Sequence, residues 1–166
     1  MEINGKKYYH AFTAGEYPQA SITAEDVARI AEKYDTGIHM APVWIGHPDE
    51  DPSQVGAWEP QALAWVGSVL AMEGKLYISF DYVGPEFRML VESRRFEYVS
   101  VEIVKFKDAD AGEYLYLYAV GLTNRPAVRG LPPLSTVAFK HAMAAQPGCQ
   151  VKYEEKFSFS ESFKKS

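Results

Sequence analysis

Apolar and polar side chains alternate along Phe96-Glu97-Tyr98-Val99-Ser100-Val101-Glu102-Ile103-Val104. Val99, Val101 and Ile103 share one face, the two-residue period of a β-strand with a buried side. Tyr98, Ser100, Glu102, Val104 and Phe106 share the other. A face that merely met water would carry a run of Lys, Thr and Glu. Here a hydroxyl and a carboxylate sit between aromatic and aliphatic neighbours, as in a small polar site within an apolar cleft. The plainer alternative, an amphipathic strand with solvated polar groups, fits the same pattern.

The remaining pattern alternates strands with two helices. Residues 7–13 predict a first strand closed by Gly15, in which His10 is a packing or edge residue. Thr23 has the character of an N-cap, with Glu25 and Asp26 in the first turn, and Val27, Ile30, Ala31 and Tyr34 recur at helical spacing. Residues 24–34 therefore predict an amphipathic helix whose apolar stripe is core. Ala41-Pro42-Val43-Trp44-Ile45 is a short apolar run that stops at Gly46 and Pro48, as a strand would. Residues 63–72 and 76–83 are two more strands, joined as a hairpin at Glu73-Gly74-Lys75. Gly84-Pro85-Glu86 opens a second helix with Phe87, Leu90 and Val91 on its buried face, and Arg94 and Arg95 near its end suit the carbonyl dipole. The strand at 113–122 is apolar on both faces, Tyr114, Tyr116, Tyr118, Val120 and Leu122 against Leu115, Leu117, Ala119 and Gly121. That places it in the middle of a sheet or barrel wall.

A serine hydroxyl attacks a carbonyl only when a base takes its proton, which turns attention to the four histidines, His10, His39, His47 and His141. His47 follows the 41–45 strand directly and lies at its mouth. Paired strands run ~4.8 Å apart and opposed Cβ atoms sit ~4.5–5.5 Å apart. A His and a Ser on one face of neighbouring strands can thus reach the ~2.6–3.2 Å that proton transfer needs.

Three segments occur in an order and spacing similar to the protease proteins of Mu-like bacteriophages: Ala41-Pro42-Val43-Trp44-Ile45-Gly46-His47-Pro48, Tyr98-Val99-Ser100-Val101-Glu102 and Leu122-Thr123-Asn124-Arg125-Pro126-Ala127-Val128. The likeness runs from near the amino terminus to about Leu131. That family is similar in turn to the prohead proteases of tailed phages and to herpesvirus assemblins. The resemblance implies an α+β fold, a small, mostly antiparallel β-barrel flanked by short helices, working as a serine endopeptidase of capsid maturation. His47 would be the general base and Ser100 the nucleophile. Scaffold and capsid proteins would be the substrates, the site of action the assembling procapsid in the host cytoplasm, and dimerisation is implied as well. No cofactor is called for.

The sequence departs from the family where the strand before Thr123-Asn124-Arg125-Pro126 should bring a third catalytic group, since only Tyr, Leu, Ala, Val and Gly stand there. Glu102 is one substitute: two residues from Ser100 on the same face, ~6.6–7 Å along the strand, it could bracket the imidazole. A cross-strand salt bridge explains Glu102 equally well. Asn124 is another candidate through its amide oxygen, Asp81 a third by strand position, and a bare Ser–His dyad a fourth reading. The loop at 124–130 is the source of oxyanion donors that the resemblance implies, with Arg125 the chosen side chain. A non-catalytic barrel that serves as a scaffold or assembly module is the competing function.

Composition narrows the class. With 166 residues, 47% of them hydrophobic, the chain suits one sizeable core. A net charge of −5 and a pI near 5.4 speak against nucleic acid as a partner. No apolar run approaches the ~20 residues that span a bilayer, and the Met1-Glu2-Ile3-Asn4-Gly5 start lacks a signal pattern. The lone Cys149 excludes an internal disulfide and suits a reducing compartment. The acidic loop at 48–53 has neither hard-cation nor paired-histidine spacing, so it is read as solvated, with no metal. Residues 56–61 read as an insertion near the site mouth, in reach of a substrate peptide. Residues 134–145 predict a short helix, and the division expected is a protease domain at 1–145 with a linker or weakly ordered tail at 146–166. The tail is expected to join a scaffolding region, with a self-cleavage site around Ala142-Met143-Ala144-Ala145.

Overall fold

A computed structural model describes residues 1–48, 60–110, 112–134 and 153–159, the last stretch by backbone alone as far as residue 157. Most of the acidic loop and of the 56–61 insertion, nearly all of the helix expected at 134–145, the expected self-cleavage site and Cys149 lie outside the described residues.

Two short hairpins frame the first long strand: β1 (Glu2–Ile3) with β2 (Lys6–Lys7), then β3 (Tyr9–Thr13), then β4 (Gly15–Glu16) with β5 (Ser21–Ile22). Helix α1 (Ala24–Lys33) begins at a capping box in which the Thr23 hydroxyl accepts from the Asp26 N–H and the Asp26 carboxylate accepts from the Thr23 N–H. Val27 and Ile30 bury its apolar face. After α1 come β6 (Pro42–Ile45), β7 (Ala64–Met72), β8 (Lys75–Val83), α2 (Pro85–Glu92), β9 (Tyr98–Asp108), β10 (Gly112–Thr123) and β11 (Tyr153–Ser158). The β7–β8 turn is Glu73-Gly74, both at positive φ (50° and 75°), the backbone of a tight two-residue hairpin.

Seven strands form one sheet in the order β11-β9-β10-β6-β7-β8-β3, antiparallel throughout except where β6 runs parallel to β10. The sheet curls into a half-barrel, bringing β3 alongside β9. Phe12 and Phe159 meet there with ring centroids 4.8 Å apart, so side chains join what the hydrogen-bond ladder leaves open. The main core is the inward face: Phe12, Val43, Val99, Val101, Ile103, Leu117, Val120 and Leu122, with Val27 and Ile30 from α1 and Phe87 and Val91 from α2. The architecture is thus α+β and barrel-like, as the pattern and the resemblance implied.

β10 departs from simple alternation. Leu117 pairs with Ile103 but Ala119 pairs with Glu102, so Tyr118 is an extra residue, a β-bulge. Beyond it the faces exchange. Val120 and Leu122 join Leu115 and Leu117 on the inward side, while Ala119 and Gly121 turn to the side of Tyr116. The uninterrupted period expected over 113–122 is therefore corrected at Tyr118. β11 falls within the stretch whose scattered aromatics suggested a tail, and it adds an outer strand to β9.

Candidate active site

The outward face of β9 and β10 carries the polar groups. Ser100, Glu102, Val104 and Phe106 all lie there and are all buried. Val104, Phe106 and Tyr116 form a second small core, with Tyr34, Ile38, Tyr114 and Tyr118 packed around it. This cluster supplies the apolar neighbours that the alternation of β9 implied. Tyr34 ties it to β7 and to the residue that leads into β6: its hydroxyl donates to the Val66 carbonyl at 2.6 Å and accepts from the Ala41 N–H at 2.8 Å.

His47 arrives from β6. Gly46, at φ +63°, adopts a left-handed conformation that few other residues take readily, and the chain turns there, out of the strand and across its neighbour. The His47 Nε2 then lies 2.9 Å from the Ser100 Oγ. Its Nδ1 lies 3.2 Å from the Glu102 Oε2, an ion-pair distance at which the N–H is not yet aligned as a hydrogen bond. The same Oε2 accepts the Trp44 indole N–H at 3.0 Å. An indole N–H only donates, so this oxygen serves as an acceptor; a carboxylate oxygen 3.2 Å from Nδ1 favours the tautomer with its proton on Nδ1, which leaves the Nε2 lone pair facing the serine hydroxyl. His47 is 7% exposed, Ser100 1% and Glu102 0%, so the three interact with little screening by water.

Ser100 and His47 are not on neighbouring strands, as the sequence suggested. β10 lies between β9 and β6, and the imidazole reaches over it at Gly121. Gly121 pairs with Ser100 on one side and with Trp44 on the other, so the three form one row across the sheet. A Cβ on Gly121 would come 2.1 Å from the Gly46 carbonyl oxygen and 3.1 Å from the His47 Cε1. The glycine therefore leaves the space in which the ring lies. It faces this way only because of the bulge at Tyr118. His39 holds that bulge: its Nε2 is 2.8 Å from the Tyr118 carbonyl and its ring stacks on Tyr118 at 4.4 Å and 3°. Sequence reasoning missed Gly121 and Trp44. The available signal was a glycine inside an otherwise bulky strand, which often marks a bulge or a close approach.

The sequence matches the family described as Mu-like prophage I protein, N-terminal domain, over residues 10–135. The chain belongs to that family. No curated protein and no solved structure matches it. The prophage I match includes His47, Ser100, Glu102, Asn124 and Arg125, and it ends before β11.

The remaining candidates of the prophage I domain make other contacts. The Asn124 side chain accepts from the Glu97 N–H at 3.0 Å and donates to the Arg95 carbonyl at 2.8 Å, fastening the α2–β9 link. Arg125 is exposed at the start of its loop, its backbone N–H taken by the Thr123 Oγ1 at 3.0 Å. Asp81, on β8, fits over Gly67 of β7, beyond β6 from Ser100. His10 bonds the Thr13 hydroxyl at 2.8 Å within its own strand. Among the described residues no three His, Cys, Asp or Glu side chains cluster as metal ligands would.

Proposed function

We propose that the protein is a serine endopeptidase of phage capsid maturation. The observation that carries this reading is the row Ser100 Oγ, His47 Nε2, His47 Nδ1, Glu102 Oε2, with contacts of 2.9 and 3.2 Å in a buried setting. In the forward step Ser100 Oγ attacks a peptide carbonyl while His47 Nε2 takes its proton. Glu102, held by Trp44, fixes the tautomer and stabilises the imidazolium. His47 then returns the proton to the leaving amine, and water releases the acyl group by the same route. Backbone amides of the loop after β10, with the Arg125 side chain, are the proposed oxyanion donors. Scaffold and capsid proteins are the proposed substrates, inside the assembling procapsid in the host cytoplasm, and a homodimer is the proposed working form. Membership of a phage family supports this setting.

A fluorophosphonate probe tests the chemistry. Ser100 should be labelled in the wild-type chain and unlabelled after His47→Ala; a chain that never reacts, while folded, refutes the endopeptidase. The second reading is a non-catalytic assembly module that keeps the barrel. The burial of Ser100, 1% exposed, favours it.

A further inference from the structure

β11 lies outside the stretch matched by the prophage I family, yet it fills the sheet edge beside the strand that carries Ser100. It runs antiparallel to β9, with Ser158 opposite Glu102. One residue on, the Phe159 N–H donates to the Val101 carbonyl at 3.2 Å, and the Phe159 carbonyl accepts the Ala127 N–H at 3.1 Å. A single residue is thereby held from two sides, by β9 and by the loop that follows β10. Its ring is fully buried, edge-on to Phe12 at 4.8 Å and to Tyr17 at 5.2 Å. Ser158 shares the face of Glu102 and is buried, its hydroxyl without a hydrogen-bond partner among the described residues.

A strand edge, an amide aimed at a peptide carbonyl and an aromatic-lined pocket are what recognition of an extended peptide uses. The main chain supplies affinity and the pocket selects a side chain. We propose that the β9 edge, the Ala127 N–H and the Phe12–Tyr17 pocket form a binding site for an extended peptide with a large aromatic side chain, and that residues 153–159 occupy it in cis. The inference rests on the endopeptidase reading and names the substrate class of that site. A docked peptide that continued the same antiparallel register past Ser158↔Glu102 would set the residue after its aromatic anchor opposite Ser100, and so would pass the nucleophile just beyond that anchor. A tethered occupant competes with peptides in trans through its high effective concentration.

The test uses the full chain. Phe159→Ala removes the anchor ring, keeps the backbone hydrogen bonds to Val101 and Ala127, and changes none of Ser100, His47 or Glu102. Both chains are treated with the fluorophosphonate probe, with and without the octapeptide Tyr-Glu-Glu-Lys-Phe-Ser-Phe-Ser. The variant should label about tenfold faster, as for a site open one-tenth of the time becoming fully open. The peptide should slow it again, and the same peptide with Ala for its second Phe should not. Fluorescence anisotropy of the tagged octapeptide on the Ser100→Ala, Phe159→Ala chain reads binding without chemistry. Binding with no labelling of any form would keep this peptide site and remove the endopeptidase. Equal labelling rates with no peptide binding would overturn the peptide site and leave the chemistry. Should Phe159→Ala unfold the chain, hydrogen exchange of the wild type decides. β11 amides that exchange well ahead of the β9–β10 ladder support a displaceable occupant. Protection lost only together with the whole sheet would make β11 a fixed strand and overturn the proposal.

Discussion

At the scale of single residues, Glu102 has the most to explain, because a carboxylate at 0% exposure costs much unless its partners stay in place. Those partners are also what the mechanism needs. Glu102→Gln offers the imidazole an amide N–H as readily as an oxygen and so permits the wrong tautomer. Ser100 labelling should fall roughly 10³–10⁴-fold with the fold intact, checked by probe kinetics and circular dichroism. Trp44→Phe keeps the ring and removes one charge-assisted hydrogen bond, worth about 1.5–3 kcal/mol, so labelling should drop by about ten- to a hundredfold. His47→Ala takes a donor from the buried carboxylate and should destabilise the chain by about 1.5–3 kcal/mol in denaturant titration. Adding Glu102→Gln to that variant should restore part of the loss, since the uncompensated charge is then gone; no recovery would mean that Glu102 is not charged in the folded protein.

At the scale of elements, the bulge in β10 decides whether a site exists. Without the extra residue at Tyr118, Val120 or Leu122 would stand in the row between Ser100 and Trp44, where the His47 ring now crosses. Gly121→Ala should reproduce that obstruction on a small scale, because its Cβ would meet the Gly46 backbone at 2.1 Å and a backbone yields less easily than a side-chain tip. Overpacking of this kind costs about 1–3 kcal/mol. The melting temperature should therefore fall moderately while Ser100 labelling is nearly abolished. A folded Gly121→Ala chain that labels normally would show that the ring does not need this space.

At the scale of the whole molecule, the half-barrel couples two half-buried histidines, His39 and His10, to acid stability. Burial lowers the proton affinity of His39 below the ordinary imidazole value of 6.5, only partly offset by its bond to the Tyr118 carbonyl. Burial lowers that of His10 as well, with the Lys75 charge adding to it. Well above pH 6.5 both are neutral, folded or unfolded, and contribute no slope. As the pH falls through 6.5 the unfolded chain takes up protons that the folded chain refuses, so stability declines. Thermal midpoints between pH 8 and 5, on the scale of ordinary imidazole titration, should show this decline, and His39→Phe should flatten it.

The two-residue period of β9, the N-cap of α1 and the Glu73-Gly74 hairpin were legible in the chain, because each depends on local spacing or on residue type; Ser100 and His47 were singled out by residue chemistry and a family resemblance, and Glu102 only as one of several partners for the imidazole. Strand order was not, since a parallel β6–β10 pair is formed by segments far apart in sequence and leaves no periodic trace. The bulge was hidden too: both faces of β10 are apolar, so an exchange of faces at Tyr118 changes no pattern. That exchange, with Gly121 beneath the imidazole and Trp44 on the carboxylate, was decided only by folding, because it depends on which backbones lie side by side.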